Sequence, residues 1–524
     1  MTEAPQRTLP LLRGQLGLED ALGDEDNCLV KLAHPDQQKH FWASLDARRS
    51  EIEAMICSQL GVDWCRLSHV DAWASGSFNV AIPILLSSKK RVFLRLPLPY
   101  KIGEACFPGN IDEKLRTEIA TYAWLEEQCP DVPIPTLHAF ALSDGLVFTH
   151  PINTPSVSRK LWQIRRWILS LLGRSVPTHY VRRGLHNPLE SGYLILGEAK
   201  GDPLAQSWLK HQKDASYRQR LFRDLARITI SMNRTSLPRI GSWTFHSNGC
   251  ITLSNRPLDL HLQMLENEGI PSGIPRHRTY TSVEPYLSDL LSFQDNKILH
   301  QPNGVQDEAD GQGQLAALTA LRAVTHKFIR PEYRDGPFFL SLTDLHQSNI
   351  FVDEHWNIET IIDLEWAYSK PVEMQVPPFW LTSRAVDQFE DAHAISEYES
   401  ILQEFLAIHA EEEKKRNGAA RYAPIQRQVW RTGGFWYFYA VTVPKGMYNL
   451  FGKHIQPLFN EGNATLSVFD KVFFSYWGIG ASKTIQAKLK DKEDYDAKVR
   501  EAFGCTTADI VNKSDKEPAE SDEK

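Results

Sequence analysis

Paired cysteine is the first thing missing. The seven cysteines, Cys28, Cys57, Cys65, Cys106, Cys129, Cys250 and Cys505, are odd in number and scattered over 524 residues. No CxxC pair and no Cys/His cluster appears, so neither a disulfide framework nor a zinc site is expected. A positive balance is missing too, since the formal net charge is −7. A general nucleic-acid binder needs a basic excess to neutralise phosphates, which sets that class aside. No window approaches the roughly 20 apolar residues that span a bilayer. The start, MTEAPQRTLPLLRGQLGLEDALGDED, has no long apolar core of the kind a secretory signal carries. A reduced, intracellular, cytoplasmic protein is the expectation. There is no internal repeat. The apolar and charged fractions, 42% and 23%, are ordinary for a globular chain. The length holds core for about two to four domains.

What is present is a succession of periods. Residues 1 to 36 have weak periodicity and clustered acids, which predicts a partly irregular extension. Between His40 and Leu60, Phe41, Leu45, Ile52, Met55, Ile56 and Leu60 recur at helical spacing, with Gly61 as a stop. Ala74 to Leu86 reads as two strands around a small, Gly-containing turn, and Arg91 to Pro97 alternates with period two. Lys114 to Gln128 reads as a helix with Ile119, Tyr122 and Leu125 on one side and Glu118 in its first turns. Thr136 to Leu142 and Gly192 to Leu196 read as two further strands. Residues 218–233, 314–329, 387–417 and 424–452 read as helices, and Asp307 to Gln314 as a polar, Gly-rich linker. The expected organisation is an extension (1–64), a β-rich small lobe (65–196), a larger helical lobe (197–480) and a charged tail (481–524). From Gly504 the tail has few large apolar residues and is expected to be disordered.

The chemistry-bearing stretch is Ser341 to Ala367, SLTDLHQSNIFVDEHWNIETIIDLEWA. Asp344 is followed on one short loop by Asn349, and the apolar run Ile361-Ile362 delivers Asp363. Ile350 to Val352 and Glu359 to Ile362 read as strands joined at Asp353-Glu354-His355, a hairpin that returns Asp363 to the same mouth. Kinase-type phosphoryl transfer uses this layout. One Asp accepts the proton of the attacking hydroxyl, while an Asn and a second Asp hold magnesium ions against the nucleotide phosphates. A solvated turn would explain any one of these residues alone.

Four earlier pieces fit the same site. The turn at Gly76, Ser77 and Asn79 could expose N–H groups to phosphates, although a plain hairpin explains it as well. Arg95 stands on the third strand, where such enzymes carry a phosphate-pairing lysine, and arginine can pair phosphate bidentately. Glu118 on the next helix is its candidate ion-pair partner; solvated positions are the ordinary fate of both. The strand Tyr193 to Leu196 exits into Gly197, Glu198 and Ala199, whose backbone would hydrogen-bond an adenine between the lobes.

On SGSFNVAIPI, VFLRLP, KLRTEIATYAWL, YLILGEAKGDPL, LTDLHQSNIFVD and IIDLEWA, the chain resembles the aminoglycoside phosphotransferase and choline-kinase-like family. The form is the one common in fungal proteins of unassigned substrate, and it covers about residues 65 to 480. The resemblance implies a two-lobed, protein-kinase-like α+β fold. It implies ATP and Mg2+ as cofactors and phosphoryl transfer to a hydroxyl of a small-molecule acceptor. By it, Asp344 is the catalytic base, Asn349 and Asp363 are the magnesium ligands, and Arg95 and Glu118 anchor phosphate. Two positions depart from the family. Leu342-Thr343-Asp344 stands where the family has His-Gly-Asp, and Arg95 replaces a lysine. Both leave open a catalytically impaired pseudokinase that serves as a nucleotide-binding or interaction protein. A protein kinase is disfavoured, because neither Asp-Phe-Gly nor Ala-Pro-Glu occurs.

One segment has no place in that scheme. Pro151 to Leu189 carries Arg159, Lys160, Arg165, Arg166, Arg174, Arg182 and Arg183 and no acid. Its run KLWQIRRWILSLL has the pattern of a basic amphipathic helix, of the kind that meets an anionic membrane or an acidic protein. The commoner fate of such a stripe is packing, and the expectation is that Trp162, Trp167 and Leu171 cap the lobe.

Overall fold

In the computed structural model, which describes residues 7–189, 191–389, 391–460 and 466–505, the period-two stretches pair into one eight-stranded antiparallel sheet. Its strands are β1 (Cys65–Leu67), β2 (Ala74–Ser75), β3 (Asn79–Leu86), β4 (Arg91–Pro97), β5 (Leu137–Ala141), β6 (Val147–Thr149), β7 (Val181–Arg183) and β8 (Tyr193–Gly197). They are ordered β1-β3-β4-β8-β5-β6-β7, with β2 beside β3. Between β4 and β5 runs helix α1 (Asn110–Gln128), and between β6 and β7 helix α2 (Ser156–Leu171). The remainder is mostly helical, so the two-lobed α+β architecture expected from the sequence is the one observed.

Register decides which side chains share a face. Across β3 and β4, Ala81 lies opposite Arg95 and Pro83 opposite Phe93. Across β4 and β8, Arg95 meets Leu194 and Phe93 meets Leu196. Alternation puts all six on the side that looks toward the helical lobe. The other face, with Ile82, Ile84, Val92, Leu94 and Ile195, is closed by Ile52, Met55 and Ile56 of the helix Arg49–Leu60. Covered on both faces, these strands read as nearly continuous apolar runs.

Four short strands carry the Ser341–Ala367 stretch in the second half: β10 (Phe338–Leu342), β11 (Ile350–Val352), β12 (Ile358–Ile361) and β13 (Ala367–Pro371). After β8 the chain crosses into the helical lobe through β9 (Asp202–Pro203), which pairs with β11. Leu340, Ile361 and Leu364 share a core with Leu115, Ile119 and Tyr122 of α1 and with Leu194 and Leu196 of β8. That shared core joins these strands to the small lobe.

Several elements differ from the sequence expectation. The first residues are more ordered than their periodicity predicts. Thr8–Pro10 pairs with Gln15–Gly17, and helices Leu18–Gly23 and Cys28–Ala47 follow. Their apolar partner is remote: Leu16, Ala21 and Cys28 cluster with Tyr495, Val499 and Phe503, largely of the helix Ala481–Ala502. The stretch read as one helix from His40 to Leu60 breaks at Arg48, between two helices. The supposed linker Asp307 to Gln314 opens the helix Glu308–Phe328. Asp307 caps it, accepting from the Asp310 N–H at 2.8 Å. At Gly313 the Tyr448 ring leaves no room for a Cβ, and at Gly311 Val305 and Ile485 would crowd one at 3.0 and 3.1 Å. The stretch 424–452 divides into Tyr422–Arg431, Gly434–Thr442 and Met447–Leu450, with Gly433 at φ 76° in the first break. Residues 506–524, expected to be disordered, lie outside the described residues.

Gly201, at the crossing between the lobes, has φ +81°, and a Cβ there would lie 2.6 Å from the Val352 carbonyl oxygen. Gly145 has the same φ, +81°, with nothing within 4 Å. Both alanine variants carry the left-handed strain, but only one meets backbone. Gly201→Ala is expected to lose about 2 kcal/mol more than Gly145→Ala in urea unfolding; equal losses would mean the lobes are not packed this way.

Candidate active site

Two antiparallel ladders bring the acids together. Leu342 pairs with Ala367 and Ile350 with Ile361. The loops 343–349 and 362–366 therefore leave neighbouring strand ends. Thr343 ties them on one side, its N–H and hydroxyl donating to the Trp366 carbonyl at 2.9 and 2.7 Å. On the other, the Ile362 N–H donates to the Asn349 carbonyl at 3.0 Å. The β11–β12 hairpin matches the sequence reading; the β10–β13 pair was missed.

Within this frame, Asn349 Nδ2 donates to the Asp344 carbonyl at 2.9 Å. That bond fixes the Asp344 loop and leaves the amide oxygen as a ligand atom. Asp363 adopts φ 62°, a left-handed conformation. Such strain costs a non-glycine residue about 1–3 kcal/mol and persists where surrounding structure imposes it.

What imposes it is a buried charge cluster. Arg95 Nη2 contacts Asp363 Oδ1 and lies 2.8 Å from Glu365 Oε2, while its Nε is 3.5 Å from Glu118. Lys114 Nζ lies 2.5 Å from Glu365 and 3.9 Å from Glu118. Asn79 bridges them, donating to Glu365 at 2.6 Å and accepting from Lys114 at 2.7 Å. The expected Arg95–Glu118 pair is thus present within a larger group. Lys114 and the role of Glu365 were missed. Lys114 had one local signal, its position four residues before Glu118 on one helix.

Two cations face three carboxylates, and the carboxylates respond differently. Burial alone would push Glu365 up, but Lys114 and Arg95 hold it down to about 2. Burial pushes Glu118 up to about 7 against the same two cations. Geometry agrees with both directions. Glu365 touches each cation and Asn79, whereas neither Glu118 oxygen makes a hydrogen bond. Asp344, outside the cluster, is pushed up to about 7 by burial, with the charges of Asp363 and Glu365 adding to the effect. His346 Nε2 lies 3.8 Å from its carboxylate.

Other expected positions are placed differently. The Asn79 side chain is spent inside the cluster rather than facing phosphates. Gly76 and Ser77 border Arg13, Lys31, His34 and Lys101. The Gly76 N–H closes its own hairpin on the Asn79 carbonyl at 2.9 Å. A Cβ on Gly76 would lie 3.6 Å from the Asn79 carbonyl oxygen, so packing within the protein does not require glycine there. In the linker, the Gly197 N–H is used by the Thr136 carbonyl at 2.8 Å, and Glu198 turns out to Arg91. Only the backbone at Glu198 and Ala199 is left for a base.

Beside Asp344 opens a cavity of about 340 Å³. Ile228, Met232, Met374, Phe379, Trp380 and Tyr439 supply much of its wall, and Asp344 is its one carboxylate among the described residues. Lys370, pushed down to about 8 by burial, lies at its edge. Val376 to Trp380 line it, while Phe435, Trp436, Tyr437 and Phe438 belong to the helical core. Apart from this site, Glu126, His150 and His179 converge at metal-ligand spacing. His179 is ion-paired to Glu126 at 2.9 Å and Glu127 at 3.1 Å, and these carboxylates lift it to about 9 despite burial. A protonated imidazole accounts for that group.

No family model matches this chain, and no curated protein matches it in sequence. Among solved structures it is similar to a point mutant of aminoglycoside 2'-phosphotransferase-IIIa in complex with GDP. The identity is 13%, over 87% of this chain and 99% of that one, with a TM-score of 0.35. It is similar to a macrolide 2'-phosphotransferase from Brachybacterium faecium at 12% identity, 78% and 98% coverage and a TM-score of 0.33. For a macrolide 2'-phosphotransferase type I the values are 10%, 78%, 96% and 0.36. Overlaps this loose say nothing about what this chain acts on.

Two outcomes follow from the charges. Lys114→Met leaves Glu365 and Glu118 short of a cation, and unfolding stability is expected to fall by roughly 3–5 kcal/mol; a loss below 1 kcal/mol would mean the cluster is not closed in solution. Asp344 binds its proton more tightly folded than unfolded, so stability falls as pH rises between 3.8 and about 7. Asp344→Asn removes that loss. It is expected to exceed the wild type at pH 8 by on the order of 2 kcal/mol and to match it near pH 4. Parallel urea curves at the two pH values would read this out.

Proposed function

We propose that this protein is an ATP- and Mg2+-dependent phosphotransferase acting on a hydroxyl of a small, largely apolar molecule. The observation that carries the reading is Asp344. It stands on the wall of the apolar cavity, on a loop tied to Asn349 and against Asp363, with its carboxyl raised to about 7. A base poised near the working pH is what proton abstraction from an alcohol needs.

The residues present fit the cofactor. Asn349 offers an amide oxygen, and Asp363 Oδ1 is ion-paired but makes no hydrogen bond. Hard oxygen donors of this kind suit Mg2+. Mg-ATP, when bound, supplies the phosphoryl group and the charge that neutralises it. Asn349 and Asp363 would hold the metal. Ala81, Pro83 and Phe93, half-buried on the Arg95 face of the sheet, would wall the base of the nucleotide. Asp344 takes the proton from the acceptor hydroxyl, and Arg95 and Glu118 keep the phosphate end in place. Most of the rate comes from positioning and fixed charge. The acceptor is held by apolar wall residues. A polycationic sugar would find a single carboxylate there, which argues against an aminoglycoside.

A second reading, a catalytically impaired nucleotide-binding or interaction protein, is favoured by one observation. Arg95 is only 8% exposed and already committed to three carboxylates. Thermal unfolding with and without Mg-ATP separates the two readings. Nucleotide at 100 times its dissociation constant should add about 2.7 kcal/mol to the wild type. Asp363→Asn should abolish that rise, and Asp344→Ala should keep it while losing the conversion of ATP to ADP. The absence of any nucleotide-dependent rise would sink the phosphotransferase reading.

A further inference from the structure

Helix α2 is amphipathic, and its apolar side faces away from the protein. Val157, Leu161, Ile164, Ile168, Leu171 and Leu172 recur at i, i+4, i+7, i+11, i+14 and i+15, which makes one stripe along the helix. All six are exposed, from 44% at Ile168 to 71% at Val157. The inward side is narrow. Trp162 is buried and donates its indole N–H to the Thr178 carbonyl at 2.9 Å, and Arg166 pairs with Glu127 at 3.0 Å. The expected packing of the helix on the lobe therefore holds for Trp162 alone; Trp167 and Leu171 are 63% and 67% exposed.

Charge surrounds the stripe. At 100° per residue, Lys160 and Trp167 fall on one flank and Arg165 on the other. Arg174 and Arg182 are exposed nearby. Of the seven arginines and lysines between residues 151 and 189, only Arg166 has a carboxylate partner among the described residues, while His179 is taken up by Glu126 and Glu127. In a chain of net charge −7, this acid-free segment is a local reversal of sign.

We propose that α2 lies flat on an anionic lipid surface, with the Val157–Leu172 stripe in the acyl boundary and Lys160 and Arg165 at the headgroup level. Apolar residues between flanking cations, with an indole at the edge, have the geometry of an interfacial helix, the long basic side chains reaching back to the phosphates. No helix among the described residues is long and apolar enough to cross a membrane, so the contact is peripheral. A second copy of the chain fits the patch less well, because a two-fold pairing through the stripe sets the same cations against each other.

The test is flotation of the full chain with vesicles of phosphatidylcholine, with and without phosphatidylserine. The wild type is expected to float only with phosphatidylserine, and to be released by high salt. Leu161→Asn/Ile168→Asn and, separately, Lys160→Ala/Arg165→Ala are each expected to weaken this by roughly tenfold or more. Because all four side chains are exposed, the midpoint of thermal unfolding should not move. Failure of the wild type to bind phosphatidylserine vesicles at low salt would overturn the proposal in favour of an acidic protein partner. Equal flotation of the Asn variant would overturn it, as would a concentration-dependent dimer that the Asn variant loses.

Discussion

The structure depends on a charge cluster that is largely buried between the lobes. Arg95 comes from β4, Asn79 from β3, Lys114 and Glu118 from α1, and Asp363 and Glu365 from the loop between β12 and β13. Each ion alone would carry a desolvation penalty of several kcal/mol, and only close geometry offsets it. That penalty is comparable with the whole stability of a typical domain. The two lobes therefore have little freedom in how they meet. Sliding α1 along the sheet, or lifting the Asp363 loop, leaves a buried charge without its partner. Ordinary apolar contacts between the lobes tolerate small shifts; this cluster does not.

The cluster also sets the chemistry beside it. Asp344 beside it is held up to about 7 chiefly by its own burial, and the charges of Asp363 and Glu365 add to that effect while Arg95 opposes it. The strained backbone at Asp363 belongs to the same arrangement, since the turn aims its carboxylate at Arg95. Arg95 thus has two roles that compete. It holds the Asp363 carboxylate in place, and the same guanidinium is the group a phosphate would draw. Asn349 is free of that conflict, because the Asp344 carbonyl already satisfies its amide N–H.

How much of this the sequence disclosed follows from distance and from what is typical. Asp344, Asn349 and Asp363 were legible because their spacing is local and the strands around them are short and apolar. Arg95 and Glu118 were legible as a pair because each lies on a strongly periodic element. Lys114 was not, since a lysine on a helix is nearly always solvated and only the fold makes this one an interior residue. The joining of Leu16 and Cys28 to Tyr495 and Val499 was illegible for another reason: partners 467 residues apart leave no local pattern. Gly311 and Gly313 suggested a linker because glycine weakens helices, yet close packing outweighed propensity. For α2 the apolar stripe could be read, but not the side on which it lay. Periodicity shows that one face is apolar; it does not say whether protein covers that face.

Helix α2 and the charge cluster share a support. Arg166 of α2 is paired to Glu127 near the end of α1, and Lys114 and Glu118 lie near its start. A rise of 1.5 Å per residue puts about 14 Å between Glu127 and Glu118. Motion at α2 could reach the site only by moving α1 as a body. Leu115, Ile119, Tyr122 and Leu125 oppose that, since all are fully buried in the core shared with β8, β10 and β12. The pairing at Arg166 is partly exposed and worth little beside that core. Docking through α2 would therefore orient the site relative to a surface without altering its charges. For an acceptor with an apolar frame and one reactive hydroxyl, orientation near a membrane is the more useful of the two effects.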